Sequence, residues 1–257
     1  MSGSPEILVT NDDGIDSPGI RALATGLSEV GNVTVVAPAD NKSAVGRATS
    51  HEVKVRETDL GFAIDGTPVD CVVAGIESLA PYPDIVVAGV NKGANLGMYV
   101  LGRSGTVSAA VEAAFFGVPA IATSLFLPGS RWQEPTERAE YVEAVRATRF
   151  LVERALDSGV FEEADYLNVN APDPLEDVTG MSVTRPSRAY DMTAEREGEW
   201  VSLRDRMWER MDDANLADDP DTDRRAVMDG RVSVSPLTAP HTTERHDALD
   251  ALAADFD

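Results

Sequence analysis

The chain has 257 residues, which allows one large domain or two small ones, and its 43% of hydrophobic residues excludes a wholly disordered chain. No apolar stretch approaches ~20 residues, so we expect no transmembrane helix. The single cysteine, Cys71, excludes an internal disulfide and a cysteine-based metal cluster. Because the first residues also lack the features of a secretory signal, we expect a cytoplasmic protein.

The charge balance is strongly acidic, with 22 Lys and Arg against 44 Asp and Glu and a net charge of −22. Only Lys42, Lys54 and Lys92 are lysines, and every other basic residue is an arginine. A protein that binds nucleic-acid duplexes non-specifically needs a basic face, so we expect no polymeric nucleic acid as partner. Scarce lysine together with abundant acid indicates a protein from the salt-rich cytoplasm of a halophile; the alternative is an ordinary acidic protein.

The first half of the chain alternates short apolar runs with segments of helical periodicity. Continuous apolar runs are typical of parallel strands whose two faces are both covered. Ser17-Pro18 supplies a helix start, and Gly31 ends that helix. These patterns predict an α/β fold with a Rossmann-like, mostly parallel sheet and helices on both faces. The predicted strands are 7–10, 33–37, 85–88 and 119–122, and the predicted helices are 18–30, 67–79 and 106–116.

The second half is less regular. A long helix is predicted at 135–157 and a strand at 167–170, followed by β-prone runs at 180–187 and 226–237. The charged stretch 209–224 is predicted to be an exposed loop. We therefore expect a main, Rossmann-like domain at 1–180 and a C-terminal β-rich extension at 181–257 that serves as a lid or makes oligomer contacts.

Polar side chains follow three of the predicted strands. Asp12 and Asp13 follow the first strand, Ser43 the second, and Asn91 and Asn95 the third. The carboxyl ends of parallel strands share one edge of the sheet, where ligands bind. Oxygen ligands of this kind suit Mg²⁺, Mn²⁺ or Ca²⁺ better than a thiolate-bound zinc. The alternatives are a turn capped by an aspartate at 12–14 and, for Ser43, an ordinary loop residue.

A second candidate element is the turn Ser104-Gly105-Thr106, which directly precedes a predicted helix. Its hydroxyls and free backbone N–H groups, backed by the helix dipole, predict an anion site, and phosphate is the usual anion. The alternative is a plain helix cap. The motifs of P-loop, cysteine-nucleophile and aspartyl-nucleophile phosphoryl enzymes are missing, and the three histidines lie in no zinc motif. The reaction class that remains is hydrolysis assisted by a metal ion that is bound by oxygen ligands.

Several of these motifs together resemble the SurE, or survival protein E, family of metal-dependent 5′(3′)-nucleotidases. The resemblance is carried by residues 7–20, 36–43, 89–97, 104–110, 167–172, 222–223 and 232–237. It implies a nucleoside monophosphate substrate and a C-terminal arm exchanged between subunits of a homodimer or homotetramer. It also implies one divalent ion per subunit, Mg²⁺ or Mn²⁺, held by Asp12, Asp13, Ser43 and Asn91.

The same resemblance places Asp12 and Asp13 in catalysis and Asn95, Ser104, Gly105 and Thr106 in a phosphate pocket. One departure is Arg103, where the family commonly has an aromatic residue; an arginine there suits contact with a phosphate. The rival interpretation is a nucleotide-binding sensor that keeps the pocket and does no chemistry.

Overall fold

The computed structural model describes residues 3–213 and 215–239. The first six strands are β1 (Glu6–Thr10), β2 (Asn32–Pro38), β3 (Val55–Glu57), β4 (Phe62–Ile64), β5 (Ile85–Lys92) and β6 (Ala120–Leu125). They are followed by β7 (Tyr166–Ala171), β8 (Gly180–Val183), β9 (Met192–Glu197), β10 (Trp200–Asp205) and β11 (Arg231–Leu237). The α-helices are α1 (Pro18–Leu27), α2 (Pro68–Ala74), α3 (Met98–Leu101), α4 (Gly105–Phe115), α5 (Val142–Ala155), α6 (Val160–Glu163), α7 (Arg206–Asp212) and α8 (Asp223–Met228).

Nine strands form one sheet in the order β3-β4-β2-β1-β5-β6-β7-β11-β8. The six strands from β4 to β7 in this order run parallel, β3 and β11 pair antiparallel with β4 and β7, and β8 is parallel to β11. The predicted mostly parallel α/β fold is therefore confirmed. The chain proceeds from β1 to β2 on one side and then places β5 on the other side of β1. This reversal makes the carboxyl ends of β1 and β5 the point where a ligand crevice opens.

Two hydrophobic cores lie on opposite faces of the sheet. Ile7 and Val9 of β1 belong to the core that also holds residues of α1 and α5. Leu8, between them, belongs to the core that holds residues of α2 and α4. Successive strand residues point to opposite faces, so a strand covered on both sides is apolar at every position. The predicted helices on both faces are confirmed.

Helix α5 starts later than the sequence pattern predicts. The predicted span was 135–157, but the helix covers Val142–Ala155 and is preceded by two 3₁₀ turns, Gly129–Gln133 and Arg138–Tyr141. The Glu140 carboxylate accepts the backbone N–H of Glu137 at 2.7 Å, and this capping contact starts the second turn at residue 138.

The C-terminal part departs further from the predictions. The predicted exposed loop at 209–224 is correct for its middle, residues 213 and 215–221, and wrong at its ends, since α7 extends to Asp212 and both Met211 and Asp223 are buried. The β-prone runs contribute β8 and β11, which are bonded into the main sheet, whereas β9 and β10 form a separate antiparallel hairpin. The division at residue 180 stays a prediction, and residues 240–257 of the predicted extension lie outside the described residues.

None of the helices in the described part of the chain is long and apolar enough to cross a membrane. The cytoplasmic location stays a prediction.

Candidate active site

The two adjacent aspartates lie where β1 meets β5. The backbone N–H of Lys92, the last residue of β5, donates to Asp13 Oδ2 at 2.8 Å. The Ser43 side chain, from the loop after β2, lies close enough to the Asp13 carboxylate to oppose the rise of its pKa, and the N–H of Lys42 in that loop donates to the Asp12 carbonyl at 2.6 Å. Two segments that are distant in sequence, the end of β5 and the loop after β2, therefore converge on Asp12 and Asp13, at the sheet edge that the sequence predicts.

Asn91 reaches this edge from an irregular part of β5. The register between β5 and β6 shifts between Ala88 and Asn91, and such an irregularity re-aims the side chains that follow it. The amide nitrogen of Asn91 donates to the Gly93 carbonyl at 2.6 Å. That bond occupies the donor end of the amide, so the amide oxygen is the atom left for a cation.

Both aspartates have raised pKa values. Burial raises the pKa of Asp12, which is only 3% exposed. Burial, and then the neighbouring charge of Asp12, raise the pKa of Asp13 to about 7. Two carboxylates held together in this way favour a proton or a cation between them. A divalent ion therefore fits the chemistry of the site.

Among the described residues, no group of three or more His, Cys, Asp and Glu side chains could hold a metal ion. A cation at Asp12 and Asp13 must therefore complete its coordination with neutral oxygens. Ser43 and Asn91 are suitable oxygen donors of the hard type that Mg²⁺ and Mn²⁺ accept.

The turn that opens α4 contacts Asp12 directly. The Thr106 hydroxyl donates to Asp12 Oδ1 at 2.5 Å, and the N–H groups of Gly105 and Thr106 lower the pKa of this carboxyl against the effect of burial. A Cβ on Gly105 would lie 2.7 Å from Asp12 Cβ, so only glycine permits this approach. The N-terminus of α4 thus fixes the orientation of Asp12 and, as expected of a helix dipole, opposes the rise of its pKa.

Ser104 is the N-cap of α4, because its Oγ accepts the N–H of Val107 at 3.1 Å. Since Ser104 Oγ is the acceptor in that bond, its hydroxyl proton is left to donate to another group. The binding of phosphate by Ser104, Gly105 and Thr106 stays a prediction. In the structure, Thr106 and Gly105 first serve to hold Asp12.

Asn95 is held by the side-chain amides of Asn168 and Asn170. Both lie in the predicted strand 167–170, and the sequence predicted no role for them in the site. Its N–H donates to Asn170 Oδ1 at 2.8 Å, and its carbonyl accepts from Asn168 Nδ2 at 2.9 Å. Its own amide donates to Ser124 Oγ at 2.9 Å. Two asparagines on the fully buried strand β7 are the signal that would have revealed this network, since buried polar groups need partners.

Asp223 and Arg224 hold the far end of the same loop. The Asp223 carboxylate accepts the N–H of Gly97 at 2.7 Å and that of Ser187 at 2.9 Å. Arg224 is 1% exposed and donates to the Ala189 carbonyl at 3.1 Å. At Gly97, where φ is +85°, a Cβ would lie 2.3 Å from the Arg224 guanidinium. No local sequence pattern marks Asp223 as a functional residue. The family resemblance was the only sequence-based sign of it.

Arg103 lies beside an aromatic side chain. Its guanidinium carbon lies 5.4 Å from the centroid of the Tyr99 ring, and Tyr99 in turn packs edge-on against Tyr190 with ring centroids 5.1 Å apart. A guanidinium over a ring face is a cation–π contact. Arg103 is therefore placed by Tyr99 at the approach to the turn that opens α4.

Comparison with known proteins agrees with this arrangement. A family model described as "Survival protein SurE" matches residues 7–193. A relative named 5′-nucleotidase SurE from Halobacterium salinarum is 67% identical over 253 residues, and the alignment covers 98% of this chain and 98% of the relative. A second relative of that name, from Haloarcula marismortui, is 58% identical over 257 residues, with 98% of this chain and 96% of the relative covered. Both organisms are halophilic archaea, in agreement with the acidic composition.

A solved structure extends the comparison to the fold. The crystal structure of the SurE protein from Aquifex aeolicus superposes with a TM-score of 0.81 at 32% identity, covering 97% of this chain and 100% of that one.

Proposed function

This chain belongs to the SurE family, and on that premise we propose that it is a divalent-metal-dependent 5′-nucleotidase, which hydrolyses nucleoside monophosphates to nucleoside and phosphate. The relatives named 5′-nucleotidase SurE support the substrate class. The observation that carries the metal dependence is the pair of adjacent carboxylates, the buried Asp12 and the half-buried Asp13, at the junction of β1 and β5.

One Mg²⁺ or Mn²⁺ per subunit would be held by Asp12, Asp13, Ser43 and Asn91. When bound, such an ion polarises a phosphoryl group and lowers the pKa of a water for in-line attack. Asp13, whose pKa is about 7 without a cation, gives up its proton to bind one. Thr106 and the N–H groups at the start of α4 hold Asp12 in a fixed orientation and oppose the rise of its pKa on burial.

The remaining polar groups of the site would stabilise the charge that develops on the phosphoryl oxygens. Ser104 has a hydroxyl proton free to donate, and Asn95, held by Asn168 and Asn170, has a second amide proton beside the one that it donates to Ser124; both would donate to phosphoryl oxygens. Donors that are already fixed in place need no reorganisation as charge builds up, which is why they contribute strongly to rate.

Turnover of AMP by protein dialysed against EDTA and then supplied with Mn²⁺ or Mg²⁺ tests this proposal. Activity should need the ion, and Asp12→Asn should lose at least ~10²-fold in rate. Asp16→Asn is the matched control, since Asp16 is exposed and, within residues 3–213 and 215–239, forms an ion pair with Arg21 alone. Full activity in EDTA would contradict the metal dependence, and nucleotide binding without turnover would favour the sensor.

We also propose that the protein is a homodimer or homotetramer. The β9–β10 hairpin carries exposed apolar side chains, with Trp200 81% and Leu203 70% exposed. An isolated two-stranded hairpin is marginal in water and gains stability from a partner surface. This hairpin, within the predicted C-terminal extension, is the segment that best suits contact with a second subunit.

A further inference from the structure

The two residues that would donate to phosphoryl oxygens, Asn95 and Ser104, lie at the two ends of one segment, residues 95–104. Leu96 of this segment is fully buried, but none of the residues of α3 is buried. A segment with few buried apolar side chains gains little of its position from the hydrophobic core. The hydrogen bonds that hold the segment therefore decide where its two ends lie.

Asp223, the first residue of α8, holds the middle of this segment. Its Oδ2 accepts the N–H of Gly97 at 2.7 Å, and its Oδ1 accepts the N–H groups of Ser187 at 2.9 Å and of Arg224 at 2.8 Å. Ser187 is also joined to the segment, because its carbonyl accepts the N–H of Met98 at 2.8 Å. The Asp223 side chain is fully buried, and hydrogen bonds from N–H groups to a carboxylate are among the strong ones.

Backbone hydrogen bonds connect Gly97 to Ser104. Gly97 is the N-cap of α3, and its carbonyl accepts the N–H of Val100 at 3.2 Å. The Val100 carbonyl in turn accepts the N–H groups of Arg103 at 2.9 Å and of Ser104 at 3.1 Å. A displacement of Gly97 is therefore passed along the segment to Ser104.

Asn170 holds the other end of the segment. Its Oδ1 accepts the N–H of Asn95 at 2.8 Å, and its Nδ2 donates to the Asn95 carbonyl at 3.2 Å. Asn170 is fully buried in β7, where it lies opposite Ser124 of β6, the residue whose Oγ accepts the side-chain amide of Asn95. The backbone and the side chain of Asn95 are thus both fixed to the sheet.

We propose that Asp223 and Asn170 are positioning residues of the phosphate pocket, which place Asn95 and Ser104 by holding the segment that joins them; this inference rests on the proposed nucleotidase function. Both act through the segment and not on the phosphoryl group itself. A misplacement of catalytic groups by ~1 Å can cost ~10²-fold in rate even when the change lies far from the reacting atoms. Since Asp223 belongs to the predicted C-terminal extension, the extension is needed for the geometry of the active site.

The substitution Asp223→Asn tests this role, with Mn²⁺ and 2 M KCl present. With the asparagine oxygen towards Ser187 and Arg224, its NH₂ group faces the N–H of Gly97, so two donors meet and that one bond is lost. We expect kcat for AMP to fall ~10–10²-fold, with KM and the calorimetric Mn²⁺ affinity within ~2-fold of wild type, because only the donors to the transition state move. Asp229→Asn, at the exposed end of α8, is the matched control and should leave all three values unchanged.

The substitution Asn170→Ala tests the other end of the segment and decides the inference if Asp223→Asn does not fold. It leaves the N–H of Asn95 without its acceptor, so the same loss of kcat at unchanged Mn²⁺ affinity is expected.

Calorimetry with vanadate, whose five-coordinate form resembles the phosphoryl transition state, gives a readout that does not depend on turnover. Both variants should bind vanadate at least ~10-fold more weakly than wild type in the presence of Mn²⁺. If the wild type does not hydrolyse AMP, the proposed function fails, while the vanadate affinities still decide the inference. Wild-type kcat and vanadate affinity in a folded variant, or a loss of Mn²⁺ affinity as large as the loss of kcat, would overturn it.

Discussion

Replacing Asp13 with asparagine should make the metal-free protein more stable and the enzyme inactive. Asp13 is next to Asp12 in the chain. Burial, together with the charge of Asp12, raises the pKa of Asp13 from 3.8 to about 7. Asparagine has nearly the same shape, keeps an oxygen for the Lys92 N–H that now bonds Asp13 at 2.8 Å, and carries no charge. The substitution therefore removes a repulsion and retains the local hydrogen bond.

The sign of the pH dependence follows from the direction of the pKa change. Well below pH 4 the Asp13 carboxyl is protonated in both the folded and the unfolded chain, so it does not change the free energy of unfolding. As the pH rises to about 7, the unfolded chain releases this proton and the folded chain retains it, so wild-type stability falls. Above pH 7 the full cost is present. The change from 3.8 to about 7 sets an upper bound of about 4 kcal/mol on that cost. Asp13 is only partly buried, so we expect about 2 kcal/mol, or ~4–8 °C in Tm.

The assay is thermal unfolding by circular dichroism, in EDTA and 2 M KCl, between pH 5 and pH 8. Wild-type Tm should fall across this range, whereas Asp13→Asn should give a flatter profile and the higher Tm at pH 8. Added Mn²⁺ should reverse the order by stabilising the wild type alone, since binding to the folded state adds stability. Activity of the variant should fall at least ~10²-fold. Parallel pH profiles, or a variant less stable than wild type at pH 8, would refute the reasoning.

Three further outcomes are expected. Ser104→Ala should slow turnover ~10²–10³-fold with Mn²⁺ affinity by calorimetry almost unchanged, because it removes a donor to the phosphoryl group; a collapse of metal affinity instead would reverse the assignment. The double variant Trp200→Ser, Leu203→Ser should shift the protein towards monomer in light scattering, and a wild-type chain that is monomeric at micromolar concentration would contradict the oligomer. Tm should rise steeply between ~0.1 M and ~2 M KCl but less with sucrose, since ions screen the net charge of −22; a flat response would show that the acidic surface is no adaptation to salt.

The sequence alone was sufficient for the parts of the molecule that have a local signature. The strands β1, β5 and β6 were recognised because a parallel strand covered on both faces is a continuous apolar run. Asp12 and Asp13 were found by reading the residues that follow such a run, since parallel strands end at one edge. Ser104 was singled out as part of an anion-binding turn, with a helix cap as the alternative; its bond to Val107 shows the cap, and phosphate binding stays a prediction.

The sequence patterns failed where a segment's state depends on what it packs against. The stretch 209–224 is rich in charge, which predicts an exposed loop, yet its last two residues, Asp223 and Arg224, are buried because each has several hydrogen-bond partners. A charged residue becomes an interior residue only when its hydrogen bonds are satisfied, and sequence composition does not record those partners.

What the sequence determined by itself is therefore the central strands, their alternation with helices and the carboxylates that follow β1, because each of these has a pattern within a few consecutive residues. Tertiary structure alone decided that Thr106 holds Asp12 and that Asp223 holds Gly97. It also decided that Asn170 holds Asn95. Asp12 and Thr106 are 94 residues apart, and Gly97 and Asp223 are 126 apart. The physical reason is that contacts at such separations arise from the packing of complete elements, which leaves no periodicity or turn chemistry in either partner's own segment.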